Sequence, residues 1–235
     1  MQVSLVLPCY NPQPGWEEVV CADYLKFQRR IRGIVELIIV LDGKSESITD
    51  AGIAMLEREI PAVKVISYSE NRGKGYATRK GVAAATGDII LYTDVDFPYT
   101  ADSLYEVYRQ LQANECDIAA GVKNAAYYKK VPLMRRIISR VLQFFIQLLL
   151  AMPITDTQCG LKGFRRIAAP DFLATTIDRY LFDLEFIYKS FRDKKYRVKA
   201  IPVILKENVR FRSMNYRILL PELLNFLRLL FNKNR

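Results

Sequence analysis

The sequence predicts an α/β fold, a mostly parallel sheet with helices on both faces. Three observations carry that expectation. Short apolar runs bounded by turn residues recur four times within the first hundred residues. Segments of helical length separate them. Of the 235 residues 51% are hydrophobic and 26% charged, an ordinary globular balance with enough apolar chain for a sizeable core. Parallel strands covered on both faces read as unbroken apolar runs, and these runs are unbroken.

The elements follow in order. Val3–Leu7 is β-branched and leucine-rich and is expected to stop at Pro8, as a buried strand does before a loop. Glu17–Arg32 is expected to be helical. Val35–Leu41 is a second strand, ending at Asp42-Gly43. Thr49–Glu59 is a second helix, stopped by Pro61. Val63–Tyr68 is a third strand. Gly75–Ala85 is a third helix, closed by Thr86-Gly87-Asp88. Ile89–Thr93 is a fourth strand, running into Asp94-Val95-Asp96. Ligands of open α/β sheets gather at the carboxyl ends of the strands. Tyr10, Asn11, Asp42, Asp94 and Asp96 all fall there.

The second half has a different character. Residues 1–117 hold 12 basic and 17 acidic residues, a net of −5; residues 118–235 hold 23 and 8, a net of +15. Between Ile118 and Thr155 stand Lys123, Lys129, Lys130, Arg135, Arg136 and Arg140, with no acidic residue. Such a half is expected to face an anion: phospholipid, a phosphorylated substrate or nucleic acid. Arg135–Met152 reads as a helix with Arg136, Arg140, Gln143 and Gln147 along one stripe. The tail Met214–Arg235 repeats the design, with Glu222, Asn225, Arg228, Asn232 and Arg235 among leucines. Basic amphipathic helices suit a membrane interface, and wide apolar faces equally suit packing on the sheet or a dimer.

Several chemistries are excluded. With no histidine there is no Ser-His-Asp triad, no His-ligated metal and no imidazole base. No run of 18 uncharged apolar residues is present, so no ordinary membrane-spanning helix is expected. The N-terminal residues lack the pattern of a signal peptide, and the N-terminus is expected to face the cytosol. Cys9, Cys21, Cys116 and Cys159 are scattered, without a Cys-x-x-Cys pair, and read as free thiols.

The motifs narrow the chemistry. Asp94-Val95-Asp96 after a strand can bring two carboxylates to one hard cation, Mg²⁺ or Mn²⁺. Asn71-Arg72-Gly73-Lys74-Gly75 opens a helix, where glycines admit a close backbone approach and the helix terminus favours anions. Asp156-Thr157-Gln158-Cys159-Gly160 and Phe182-Asp183-Leu184-Glu185 are polar clusters that suit a site, a turn or a helix cap.

In order and spacing, Pro8-Cys9-Tyr10-Asn11, Leu41-Asp42-Gly43-Lys44-Ser45, Asn71 to Gly75 and Asp94-Val95-Asp96 resemble the inverting family 2 glycosyltransferases of GT-A fold. Asp156 to Lys162 and Phe182 to Glu185 look like the polyprenyl-phosphate branch, and Thr157-Gln158-Cys159-Gly160 is more similar to its dolichyl-phosphate glucosyltransferases than to its mannose synthases. The resemblance implies a Rossmann-like GT-A catalytic domain over 1–212. Residues 1–117 would form its nucleotide-sugar half, 118–212 its acceptor half with an interface helix at 135–152, and 213–235 an amphipathic tail.

It also implies roles. Pro8, Tyr10, Asn11, Asp42, Lys74 and Asp94 would bind the nucleotide sugar, with Tyr10 and Asp42 at the base and ribose and Lys74 near the diphosphate. Asp94 and Asp96 would bind Mg²⁺ or Mn²⁺. Lys123, Arg135, Ser139 and Arg210 would clasp the acceptor phosphate. Asp94, Asp96 and Asp156 form the catalytic set. The chain departs from the family pattern at Leu41, Pro12 and Pro98, where acidic residues or Gln are usual.

The expected activity is inverting transfer of a hexose from UDP-glucose or GDP-mannose to a polyprenyl or dolichyl phosphate. The chain would work peripherally at the cytoplasmic face of an anionic membrane, alone, as a homodimer or with a membrane-protein partner. A phosphate monoester is largely dianionic at neutral pH, its second pKa being about 6, so it needs no strong base. A sugar-hydroxyl acceptor, as in polysaccharide or glycolipid elongation, would need one, and Asp156, Asp183 and Glu185 are the candidates. Nucleic-acid binding is not expected, because the basic residues sit in leucine-rich helices without a recognised motif. The intact Asp94/Asp96 pair speaks against an inactive scaffold.

Overall fold

The four apolar runs become neighbouring strands. A computed structural model describes residues 2–123, 131–150, 152–154, 156–207, 209 and 218–231, with Arg135 described by its backbone alone. Strands β1 (Val3–Cys9), β2 (Val35–Asp42), β3 (Val63–Tyr68) and β4 (Ile89–Tyr92) alternate with helices α1 (Trp16–Gln28), α2 (Asp50–Glu59) and α3 (Lys74–Ala84). Beyond them lie α4 (Ala101–Gln112), β5 (Ile118–Lys123), α5 (Leu133–Leu150), β6 (Lys162–Arg165), α6 (Ala169–Leu173), α7 (Phe182–Arg192), β7 (Val198–Val203) and α8 (Leu219–Phe231). One sheet of order β3-β2-β1-β4-β6-β5-β7 joins the two halves, parallel except for β6, which runs antiparallel to β4 and β5. The expected α/β architecture is therefore present.

Strand β1 does not end at Pro8. Its pairing with β4 covers only Val3–Val6, whereas its pairing with β2 continues to Cys9. Past Val6 no bond toward β4 is owed, so proline's missing N–H costs the ladder nothing there.

Alternation along the strands divides the core. Leu5, Leu7, Leu37 and Ile39 point to one face, against Phe27 of α1, Leu56 of α2 and Val107 and Leu111 of α4. Val6, Ile38, Ile90 and Tyr92 point to the other, with Val82 of α3, Phe172 of α6 and Phe186 of α7. Ile146 and Leu150 of α5, and Phe226 and Leu229 of α8, join this second cluster. Burying a side chain of this size stabilises by about 1.5–3 kcal/mol, so both layers are firmly held.

Helices α5 and α8 are attached by little else. Leu133, Met134, Ile137, Val141, Phe144 and Leu148 of α5 are exposed, as are Leu220, Leu223, Leu224 and Phe231 of α8. On α8 Glu222 is turned inward: it accepts the Leu181 N–H at 2.9 Å and the Tyr180 N–H at 3.4 Å, just before α7. Full packing on the sheet, the alternative for these helices, is not what the chain does. No described helix is long and apolar enough to cross a membrane. Residues 213–217 and 232–235 of the expected tail lie outside the described residues.

Candidate active site

The strand order reverses between β1 and β4, the place where open sheets leave a crevice beyond their carboxyl ends. Tyr10 and Asn11 follow β1 there, Asp42 ends β2, and Asp94 and Asp96 follow β4. Tyr10 is 52% exposed, an aromatic face open to a planar ligand. Pro8 holds the end of β1 beneath it, half-buried. Asn11 is exposed in a left-handed conformation, φ 45°, and its Oδ1 accepts the Ser45 hydroxyl at 3.1 Å.

The turn after β4 is tight. The Phe97 N–H donates to the Asp94 carbonyl at 3.0 Å, and Phe97 itself has φ 43°. A bulky residue in that region is strained, and such strain gathers where a backbone must aim particular groups. Asp96 is exposed and Asp94 partly so. Lys74, at the start of α3, reaches Asp94 Oδ1 at 2.5 Å. Burial alone would lower the Lys74 pKa, but the charges of Asp94 and Asp183 outweigh it and hold it above the ordinary lysine value.

Among the described residues no three acidic or cysteine side chains gather around a cation position. The sequence-predicted donor set is the Asp94/Asp96 pair. Two carboxylates, one of them open to solvent, fit a hard cation that completes its shell with water and phosphate oxygens.

Two expected contacts turn inward. The Asp42 carboxylate is buried and accepts four donors: Tyr68 Oη at 2.9 Å, Asn71 Nδ2 at 2.8 Å, and the N–H groups of Arg72 at 2.7 Å and Gly73 at 2.9 Å. It shapes the 71–73 loop that launches Lys74. The glycines of that loop admit the chain's own backbone. A Cβ on Gly73 (φ 108°) would lie 2.5 Å from the Asp178 carbonyl, and one on Gly75 2.5 Å from that of Ile177. The Tyr76 N–H already donates to Asp178 O at 3.1 Å. The anion-binding expectation for this helix start therefore narrows to Lys74.

The second half supplies the opposite wall. Asp156 accepts the Lys123 N–H at 2.6 Å and its ammonium at 3.3 Å, both side chains being 10% exposed or less. Gly160, four residues on, lies so close to Asp94 that a Cβ would sit 2.2 Å from Oδ2. The 156–160 loop thus spans from Lys123 to Asp94. Lys162 is a wholly buried lysine on β6, bonded to the Cys159 carbonyl and to Asp183 Oδ2 at 3.0 Å. Asp183 also accepts the Tyr92 hydroxyl at 2.5 Å, and burial of the tyrosine, then the Asp183 charge, raise the Tyr92 pKa. Glu185 accepts the N–H groups of Thr176 and Ile177 at 2.8 and 2.9 Å and the Lys189 ammonium at 2.6 Å.

Sequence reading missed Lys162 and Tyr92 as the braces of this loop. The available signal was a charge inside Leu161-Lys162-Gly163-Phe164, since a lysine in a buried strand requires a partner. Ser139 is half-buried on α5, within hydrogen-bonding reach of Gln143. Arg210 and the Arg135 side chain lie outside the described residues.

Comparison with known proteins follows the same lines. The family model described as "Glycosyl transferase family 2" matches residues 4–173. The dolichyl-phosphate beta-glucosyltransferase of Homo sapiens is 31% identical over 204 residues, 80% of this chain and 62% of that protein. The enzyme of the same name from Dictyostelium discoideum is 26% identical over 200 residues, 79% of this chain and 61% of that protein. The chain thus spans about three fifths of the length of these curated relatives. In fold it is similar to glucosyl-3-phosphoglycerate synthase from Mycobacterium tuberculosis. In complex with UDP that structure has a TM-score of 0.70 at 16% identity, covering 99% of this chain and 79% of that one. Its complex with Mn²⁺, UDP-glucose and phosphoglyceric acid has a TM-score of 0.66 at 14% identity, with the same coverage.

Proposed function

Because the chain belongs to glycosyl transferase family 2, we propose that it transfers glucose, with inversion, from UDP-glucose to the phosphate of a polyprenyl or dolichyl lipid at a membrane surface. The relatives' name supports the lipid phosphate and the glucose. The UDP-glucose and Mn²⁺ of the fold neighbour support the donor and the metal.

The observation that carries the acceptor is the state of the candidate bases. Asp156, Asp183 and Glu185 are each engaged by a lysine, and each also accepts a backbone N–H or a tyrosine hydroxyl. A hydroxyl nucleophile would need one of them released. A phosphate dianion brings its own charge and needs none. Lys123, at the far end of the 156–160 loop, offers the cation toward which such a phosphate would be drawn.

In this reading Tyr10 stacks on the base, and Asp42 holds the loop that presents Lys74. Asp94 and Asp96 hold Mg²⁺ or Mn²⁺, which when bound neutralises charge on the departing diphosphate. Lys74 moves from Asp94 toward that diphosphate and supplies a second positive charge, preorganised by its burial.

The exposed apolar sides of α5 and α8, with Arg136, Arg140 and Arg228, suit a peripheral position on an anionic leaflet. Each such cation near the surface contributes about 1 kcal/mol. The cysteines are free and buried, which suits the cytoplasmic side.

The test incubates the protein and Mn²⁺ with labelled UDP-glucose or GDP-mannose, with and without polyprenyl phosphate in detergent. The expected result is label in the organic phase from UDP-glucose, dependent on the lipid and reduced at least ~100-fold in Asp96→Ala. Nucleotide binding without transfer from either donor would overturn the acceptor.

A further inference from the structure

Buried polar side-chain atoms normally find partners, and an orphan among them asks for an explanation. Among the described residues four such atoms have none: Arg136 Nε, Thr157 Oγ1, Gln158 Nε2 and Tyr188 Oη. Two of the four are consecutive, and they stand in the loop that joins the two ends of the candidate site. On one side of them Asp156 pairs with Lys123. On the other, Gly160 lies against the Asp94 carboxylate.

We propose that Thr157 and Gln158 bind hydroxyl groups of the transferred hexose and thereby set donor-sugar preference. The inference rests on the transferase reading above and adds the residues that recognise the sugar. Position supports it, because the hexose must lie between the diphosphate, at Asp94, and the incoming nucleophile, toward Lys123. Chemistry supports it as well. A hydroxyl that both donates and accepts, beside a neutral amide donor, matches sugar hydroxyls, whereas a phosphate calls for cations. Gln158 is half-buried, so part of its side chain already reaches the surface of the loop. Thr157 is fully buried, so its hydroxyl meets a sugar only when the loop shifts to admit one. A pocket that satisfies its polar groups only with the right sugar rejects one whose hydroxyl is misplaced.

The test measures UDP and UDP-glucose affinities by calorimetry with Mn²⁺ for the whole chain, for Thr157→Val and for Gln158→Met. Each variant removes hydrogen-bonding capacity at nearly constant size. UDP affinity is expected to stay within about twofold, while UDP-glucose affinity falls about tenfold, the value of one net hydrogen bond. Thr157→Val is expected to melt at or above the parent temperature, because an unpaired buried hydroxyl leaves the interior. Equal losses for both ligands, no loss for either, or a marked drop in melting temperature for Thr157→Val would each overturn the proposal. A parent protein that binds neither ligand would instead overturn the transferase reading. Failure to transfer to a lipid phosphate would remove that acceptor and leave the sugar contacts standing.

Discussion

Gly160 illustrates how the absence of a side chain shapes this site. Its Cα faces Asp94, and an added methyl group would overlap Oδ2. The obstructing atom is the far end of a side chain, so the carboxylate can swing away while the backbone stays in place. Gly160→Ala is therefore expected to leave stability within about 1 kcal/mol of the parent, yet weaken Mn²⁺-dependent UDP binding about tenfold. Urea titration and calorimetry on the same sample check the two halves of that statement. Asp42 behaves oppositely. Asp42→Ala leaves the buried Gly73 N–H and the part-buried Arg72 N–H without their acceptor, and an expected loss of about 2 kcal/mol follows. Stability and nucleotide affinity should fall together there, because the loop that launches Lys74 loses its anchor. Urea titration of that variant, followed by calorimetry with UDP, checks it.

Pairing between elements sets a pH dependence. Asp117, at the entry to β5, accepts the backbone N–H and the guanidinium of Arg197 beside β7, each at 3.0 Å. Those bonds hold its pKa below the usual aspartate value. The unfolded chain then binds the proton more readily, so the stabilisation is present above about pH 4 and is lost as pH falls through the lower folded value. Asp117→Asn is expected to cost about 1–2 kcal/mol at pH 7 and to show a flatter acid limb, the two stability curves converging once Asp117 is protonated in the folded chain. Urea melts across that range test it. The same scale shows what was legible in the sequence. Strands β1 to β4 announce themselves, because strands covered on both faces must be continuously apolar. Strands β6 and β7 do not: Lys162-Gly163-Phe164-Arg165 is short and charged, and Val198–Val203 contains Lys199 and Pro202. Asp94 and Asp96 stand out by following a strand. Asp183 and Glu185 could not be told from catalytic bases, since Tyr92 lies 91 residues from Asp183 and only the fold joins them.

The whole molecule is polarised. Its acidic first half carries Tyr10, Lys74, Asp94 and Asp96, and its basic second half carries two helices with exposed apolar residues. Phe144 and Leu223 are two of these, one on each helix, exposed and without a core role. Replacing both with aspartate is expected to lower partitioning onto phosphatidylglycerol vesicles at least tenfold, since each side chain offers about 1.5–3 kcal/mol on full burial. The melting temperature should not move. Cosedimentation and thermal melts separate the two effects. In the proposed reading the same polarity would bring a lipid head group to the Lys123 end of the 156–160 loop while the donor enters at Asp94. The most direct test of that arrangement compares polyprenyl phosphate with the matching polyprenol as acceptor for UDP-glucose and Mn²⁺. Label transferred to the phosphate and not to the alcohol is the predicted result. Equal transfer to both would show that the nucleophile is a hydroxyl, that one of the engaged carboxylates is released to act as a base, and that the acceptor assignment is wrong.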